Sequence, residues 1–497
     1  MAPSLFEAAA GAVRTQGGRS AISAIWNSGA RPALGARVRV QFSELSADRC
    51  AIARFGSWDI AVPNAVPGDV ADIEVRDRRG AEYRGHLLTL VRPSPLRVRP
   101  PCPIFDRCGG CQWQRVDTTA QAEYKGALVQ RALAASGHGH LPVKSVAATI
   151  PWGYRTAGTY VPAIGAELPA LGLHPSGGNS PVCIRRCLIQ SPALQDVFEA
   201  TQRAWRTLEP RLREDSPTAC RQVRIRVGDA SGEAAVGLVL ETTPTPRQRD
   251  AIVDAIRTHL TRIVEIAAIA VPRPRRAAGP MSKLRWGRPG VVDTILGYWY
   301  QAPVFAPFPV TGRAAPEAIT SALGALALDD ETTLLETEAG IGAYTLPAAA
   351  AARRVLGRTA PEFLGPARQN AAWNETANVL FVDRSMCTLA ATLRSHAPIQ
   401  RALVRLTPEA VPFEMFYEAG VQRLVLLTTS ARRLAEVLAA AEREGFEPRS
   451  VTVIDSYPQT SRADIHATLE ARSRRGGPPA MWAYEPSSSA QHRPVNR

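Results

Sequence analysis

Lysine is almost missing. Only Lys125, Lys144 and Lys283 stand among the 59 basic residues, so arginine carries the formal charge of +14 and the pI near 9.9. With so much alanine and proline, that imbalance has a plain source in GC-rich coding. The excess positive charge itself points to a polyanionic partner, most directly nucleic acid. No apolar run approaches the roughly 18 residues of a membrane span, which excludes an integral membrane helix. Cysteine is scarce, eight in 497 residues, and no apolar core with a small-residue cleavage site opens the chain. A secreted disulfide framework is thereby excluded and a reducing compartment is expected. The cytoplasm fits; the mitochondrial matrix is the alternative, because residues 1–34 carry Arg14, Arg19 and Arg31 against a single acid, Glu7. No internal repeat is present.

What is there suggests about three domains, at roughly 150 residues each. Residues 1–35 read as a flexible basic extension. From 36 to 92 five short strand-like stretches, VRVQF, CAIARFG, WDIAVPN, ADIEVRD and HLLTLVR, are separated by turn signals such as NAVPGD and DRRGAE. They predict a small β-barrel of the oligonucleotide-binding type, with Arg54, Phe55 and Trp58 placed to grip a backbone or stack on bases. Residues 93–298 read as a mixed α/β central domain with a cysteine-dense entry. From 299 to 472 strands and helices alternate, and TTLLET, the turn EAGIGA and the following helix, strand, helix and strand form two successive βαβ units of a Rossmann-like domain. The Gly/Pro/Ser-rich stretch 473–497 has too little apolar content to fold alone.

Cys102, Cys108 and Cys111, in CPIFDRCGGC, are spaced five and two residues apart, with two glycines that let the backbone turn so that several sulfurs face one centre. A fourth ligand is needed. Cys187, in CIRRCLIQ, is the candidate and Cys183 its rival. Thiolates suit zinc or an iron-sulfur cluster, and the spacing does not separate them. Cys50, Cys220 and Cys387 stand alone and read as buried apolar positions.

NAVPGD, PSPLRVRPPCPIFDRCGGCQWQ with Gln121 and Lys125, WGYR at 152–155, GLHPSGGNSPVCIRRCLIQ at 172–190, GIGAYTLP at 340–347, ARQNAAWN at 367–374 and DSYPQT at 455–460 occur in the order found in one family. The chain resembles the bacterial RNA (uracil-5-)-methyltransferases that modify 23S ribosomal RNA and transfer RNA. The resemblance implies a TRAM domain for the barrel, a class I methyltransferase fold for 299–472 and a 4Fe-4S cluster on Cys102, Cys108, Cys111 and Cys187. It also implies S-adenosylmethionine bound at the Gly340 and Gly342 turn, with Glu336 and Thr359 nearby. Arg54, Phe55, Arg97 and Arg99 are then candidate RNA contacts, on an expected monomer that binds rRNA or tRNA, in the ribosome or its precursors, and no membrane.

The family's reaction needs a thiolate that adds to uracil carbon 6, turning the ring into an enolate that attacks the methyl group, after which a base removes the carbon 5 proton. Thr429 stands where that cysteine belongs, and an alcohol is a far weaker nucleophile near neutral pH. The base position holds Asp464, one methylene shorter than the family's glutamate, and Arg462 replaces a histidine. Only Pro408 survives of the Asp-Pro-Pro-Arg loop. Ala306 and Phe308 replace amide side chains that help hold the cofactor, and neither donates a side-chain hydrogen bond. Arg358 and Thr359 stand where an acid would grip the ribose, a loss of about 1.5–3 kcal/mol. Cys387 is predicted on the adenine side, away from the uracil. The expectation is an RNA-binding protein of this family with an impaired transferase pocket. The alternative is an active S-adenosylmethionine-dependent methyltransferase using another nucleophile or route.

Overall fold

The computed structural model describes residues 31–80, 82–164, 169–214, 219–271 and 283–472. Most of the basic extension, 1–30, and the 473–497 tail lie outside the described residues. Strands β1 (Arg37–Leu45), β2 (Cys50–Phe55), β3 (Trp58–Pro63), β4 (Val70–Arg79) and β5 (Glu82–Arg92) close into a barrel in the order β1-β2-β3-β5-β4. Val40, Phe42, Ala51, Ala53, Ile60, Val62, Ile73 and Val75 fill it, which is the inward half of the alternation read from the sequence. Gly68, at φ +90°, turns the chain into β4 where an added Cβ would lie 2.7 Å from the Ser94 hydroxyl.

A helix α1 (Thr118–Ala135) and a strand β6 (Val143–Val146) follow the cysteine loop. Next come β7 (Ala157–Ile164), β8 (Pro169–Leu173), β9 (Val182–Cys183), α2 (Pro192–Glu214), β10 (Cys220–Val227), β11 (Ala234–Leu240), α3 (Pro246–His259), β12 (Ile263–Ala270) and β13 (Lys283–Gly287). These strands form one seven-stranded sheet, β13-β12-β11-β10-β7-β8-β9, covered by the apolar faces of α2 and α3 through Phe198, Trp205, Leu208, Ile252 and Ile256. A hairpin of β14 (Val291–Ile295) and β15 (Tyr298–Ala302) leads out.

The C-terminal part runs α4 (Ala315–Leu326), β16 (Thr333–Glu336), α5 (Thr345–Ala348), β17 (Arg354–Thr359), α6 (Pro361–Trp373), β18 (Val379–Asp383), α7 (Leu389–Ser395), β19 (Arg401–Arg405), α8 (Phe413–Glu418), β20 (Arg423–Thr428), α9 (Ala431–Arg443), β21 (Phe446–Ile454) and β22 (Asp464–Ala471). Its sheet has the order β18-β17-β16-β19-β20-β22-β21-β6. Six parallel strands and an antiparallel β22 inserted between β20 and β21 give the strand order of a class I methyltransferase. β6, from the stretch that the sequence assigns to the central domain, pairs with β21 in this sheet. The reason is apolar: Val129 and Leu133 of α1 pack with Leu434 and Leu438 of α9, and β6 covers the edge that β21 would otherwise expose. Strand β22 has no clear sequence alternation, because Ile465 to Leu469 are all buried in the sheet interior. No described helix is long and apolar enough to cross a membrane.

A buried ion pair joins α1 to the loop after β21. The Lys125 ammonium, 1% exposed, pairs with the fully buried Asp455 carboxylate and donates to the Tyr457 carbonyl at 3.1 Å. Burial pulls the lysine down and pushes the acid up, and each partner opposes that shift in the other. Beside it Gln121 accepts from the Gln459 amide at 2.7 Å, and the Gln459 carbonyl accepts from Gln112 and Trp113, each at 3.0 Å. These bonds hold Gln459 at φ +71°, a left-handed conformation unfavourable for a side chain of this size. Removing one member of such a pair leaves an uncompensated buried charge. Lys125→Met is therefore expected to lower stability by about 3–5 kcal/mol, and Asp455→Leu on top of it to recover part of that loss. Urea unfolding of the two variants checks this; equal or additive losses would contradict it.

Candidate functional site

The cysteine loop is shaped before any ligand is considered. Gly109 donates to the His174 carbonyl at 2.8 Å, so close that a Cβ there would lie 2.7 Å from the Pro175 carbonyl. Cys102 donates through its amide to the Gln114 side chain at 3.3 Å and Cys187 to the Gln195 side chain at 3.1 Å. Arg49, in the β1–β2 turn at φ +72°, reaches across from the barrel. It donates to the carbonyls of Phe105, Cys108 and Cys111 while lying 4.8 Å above the Phe105 ring. As a result Cys102, Cys108, Cys111 and Cys187 line one cavity, with Tyr160, Leu173, Ile184 and Ile189 as apolar wall and Gln114, Arg155 and Arg186 as polar wall. Of the two candidates for the fourth sulfur, Cys187 lines this cavity; Cys183 is exposed and absent from its lining.

Burial pushes the Cys108 and Cys187 thiols up, and Cys111 to about 12, with the neighbouring sulfurs adding to the shift. Among the described residues no three His, Cys, Asp or Glu side chains gather closely enough to hold a single metal ion. The four cysteines line one cavity. Cys50 and Cys220 lie apart, each raised by burial to about 12.

At the other centre, Gly340 and Gly342, at φ +56° and +100°, carry the chain from β16 towards α5. A Cβ at Gly340 would meet the Pro307 carbonyl at 2.8 Å. The turn is braced by its surroundings. The Thr359 hydroxyl donates to the Gly340 carbonyl at 2.7 Å, and Asn370 donates to the Ile341 carbonyl at 3.1 Å while accepting from Gln301 of the hairpin at 2.8 Å. Thr359 is 1% exposed; the structure gives it a bracing role and no free hydroxyl. Glu336 accepts from Thr345 at 2.5 Å, Glu338 is held by both contacts from Arg384, and Arg358 donates to the Cys387 carbonyl at 2.9 Å. Ala306 and Phe308 are buried, and the carbonyls of Ala306, Phe308 and Pro309 accept from the buried Arg226 at 3.2–3.5 Å.

The register of β20 on β22, Thr428 opposite Ile465, brings Thr429 and Asp464 together just beyond the ladder. Thr429 is exposed. The adjoining groups are engaged in starting α9: Thr428 accepts from the Ser430 amide at 3.0 Å and Ser430 caps the Arg433 amide at 3.2 Å. Arg433 in turn donates to the carbonyls of Thr407, Pro408 and Glu409, fixing the loop after β19. Burial pushes the Asp464 carboxyl up, opposed by Arg405 and Lys125. Arg405, at the end of β19 and 5.7 Å from the Tyr344 ring, is a cation of this face that no sequence pattern singles out. Cys387 follows β18, which lies four strands from β20, roughly 19 Å at the usual strand spacing.

The RNA-contact candidates are not alike. Arg97 pairs through both nitrogens with the fully buried Asp69 and donates to the Asn64 carbonyl at 2.9 Å, which makes it a strut between β4 and the cysteine loop. Phe55 packs against the barrel core, Arg54 lies 3.8 Å from Asp59 with both exposed, and Arg99 is exposed.

No family model matches the chain. It is 27% identical over 451 residues to a protein of Gloeobacter violaceus named as an uncharacterized RNA methyltransferase, with 88% of this chain and 97% of that one covered. A protein of Thermosynechococcus vestitus bearing the same name is 28% identical over 450 residues, covering 88% and 98%. Among solved structures, the tRNA (uracil-54, C5)-methyltransferase of Pyrococcus abyssi in complex with S-adenosyl-L-homocysteine has a TM-score of 0.62 at 18% identity, covering 87% of this chain and 99% of that one. The two share a fold along nearly their whole lengths.

Glu336 yields a test of this site. Burial pushes its carboxyl from 4.5 to about 7. Between those values the unfolded chain is ionised and the fold still protonated, so stability falls as pH rises through that window and levels off above it. Glu336→Gln keeps an acceptor for Thr345 and removes this titration. Relative to wild type it should gain up to about 3 kcal/mol on going from about pH 5 to about pH 8. Urea midpoints at the two pH values measure the difference; a constant offset would refute the assignment.

Proposed function

We propose that this chain is an RNA-binding protein of the RNA methyltransferase family, acting on rRNA or tRNA, whose pocket no longer runs the carbon 5 uridine reaction. The observation that carries the proposal is an exposed alcohol, Thr429, at the sheet end, one position past the Thr428–Ile465 pair that borders Asp464. A hydroxyl lacks the few per cent thiolate that makes cysteine effective at neutral pH. The relatives' names, the shared fold, the closed barrel and the charge of +14 support RNA as partner.

S-adenosylmethionine would lie against the Gly340 and Gly342 turn, where the backbone admits close approach. The bound cofactor supplies an electrophilic methyl group. The chain's own contribution there is weakened, since Thr359, Glu338 and Arg358 are each engaged with protein groups. Cys102, Cys108, Cys111 and Cys187 suit a 4Fe-4S cluster in donor type and in their arrangement around a cavity. Held there, it would tie the cysteine loop to the 182–190 segment. Assembly of the ribosome in the cytoplasm, by a monomer, is the setting this reading proposes.

Incubated with unmodified transfer or ribosomal RNA and methyl-labelled S-adenosylmethionine, the protein is expected to form no 5-methyluridine. Formation that Asp464→Asn abolishes would overturn the reading. For the cluster, anaerobically purified protein should contain iron and sulfide and absorb in the visible. Cys187→Ala should lose both and Cys183→Ala should keep them. Equal retention in the two variants would remove Cys187 as a ligand.

A further inference from the structure

On the barrel, the exposed Arg39, Arg76 and Arg79 and the half-buried Arg84 each face a carboxylate at 2.8–3.5 Å, whereas Arg37 and Arg92, also exposed, face none among the described residues. Next in the chain to the cysteines that line the cavity, Arg99, Arg107, Arg185 and Arg186 are exposed and have no carboxylate partner among the described residues. The acid next to them in sequence, Asp106, is already paired with Arg115 at 2.8 Å.

The backbone beneath these guanidinium groups is fixed. The Arg107 carbonyl accepts from the Ser176 amide at 2.8 Å, the Arg185 carbonyl accepts from the Gln195 side chain at 2.7 Å, and Arg186 lines the cavity directly before Cys187. Arg99 stands three residues before Cys102. Cations without partners on an ordered backbone suit a polyanion. They give up no ion pair on binding, they release counterions from phosphates, and little ordering remains to oppose association.

We infer that Arg99, Arg107, Arg185 and Arg186, which flank Cys102, Cys108 and Cys187 in the chain, form the surface that grips RNA phosphates, in preference to the paired arginines of the barrel. This rests on the RNA-binding reading above and assigns it a place. The barrel also holds the cysteine loop, through Arg49 and Arg97.

The test measures binding of unfractionated transfer RNA against salt, a fair probe because the phosphate contribution is independent of sequence. In the triple variant R107A/R185A/R186A the slope of log K against log salt should flatten by about 2–3, with at least tenfold weaker binding. The control R39A/R76A should change the slope by less than about 1. Iron content recorded on the same samples separates lost contacts from a lost cysteine loop. If the triple variant does not fold, ultraviolet cross-linking of the wild type decides: cross-linked peptides should come from 97–111 and 181–190. Wild-type protein that shows no salt-dependent binding removes the RNA-binding reading itself. Wild-type binding with an unchanged triple-variant slope, or cross-links confined to 37–92, overturns this inference and leaves that reading standing.

Discussion

The pairing of Lys125 with Asp455 is the constraint on which the remaining geometry depends. Two charges removed from water are tolerated only with good partners, so α1 is held where the loop 455–460 requires it. That loop accepts from Gln112 and Trp113 at the root of the cysteine segment and from the Tyr154 hydroxyl at 3.0 Å, and it leads directly into β22 with Asp464. One buried pair therefore sets the position of the cysteine cavity relative to the sheet end. The segments involved lie 330 residues apart in the chain.

Much of the architecture was legible because it follows from periodicity. The five barrel strands announce themselves by alternation and turn residues, and the strands and helices from β16 to β18 by the βαβ rhythm. The placement of β6 was not, since four residues with the pattern VKSV are compatible with several partners and only the packing of α1 on α9 selects one. Strand β22 was hidden for the opposite reason: buried on both faces, it shows no alternation.

At the sites, residue types were legible and their engagements were not. Cys187 over Cys183 depended on how the loop after β9 turns back to the cavity that Cys108 lines, leaving Cys183 exposed. Arg97 and Thr359 read equally well as ligand contacts or as braces, because the groups that engage them, Asp69 and the Gly340 carbonyl, lie 28 and 19 positions away. Sequence shows that a donor exists; only the folded chain shows what already occupies it. Arg405 went unnoticed for want of any motif around it.

The near-absence of lysine acquires a meaning in Arg49, Arg226 and Arg433. Each gathers three backbone carbonyls from a stretch without regular structure: 105–111, 306–309 and 407–409. A planar fork with five donors does this readily, whereas an ammonium on a flexible stem offers one point of attachment. Three irregular loops are thus riveted by single side chains, and exchanging arginine for lysine would loosen the frame while leaving its charge untouched.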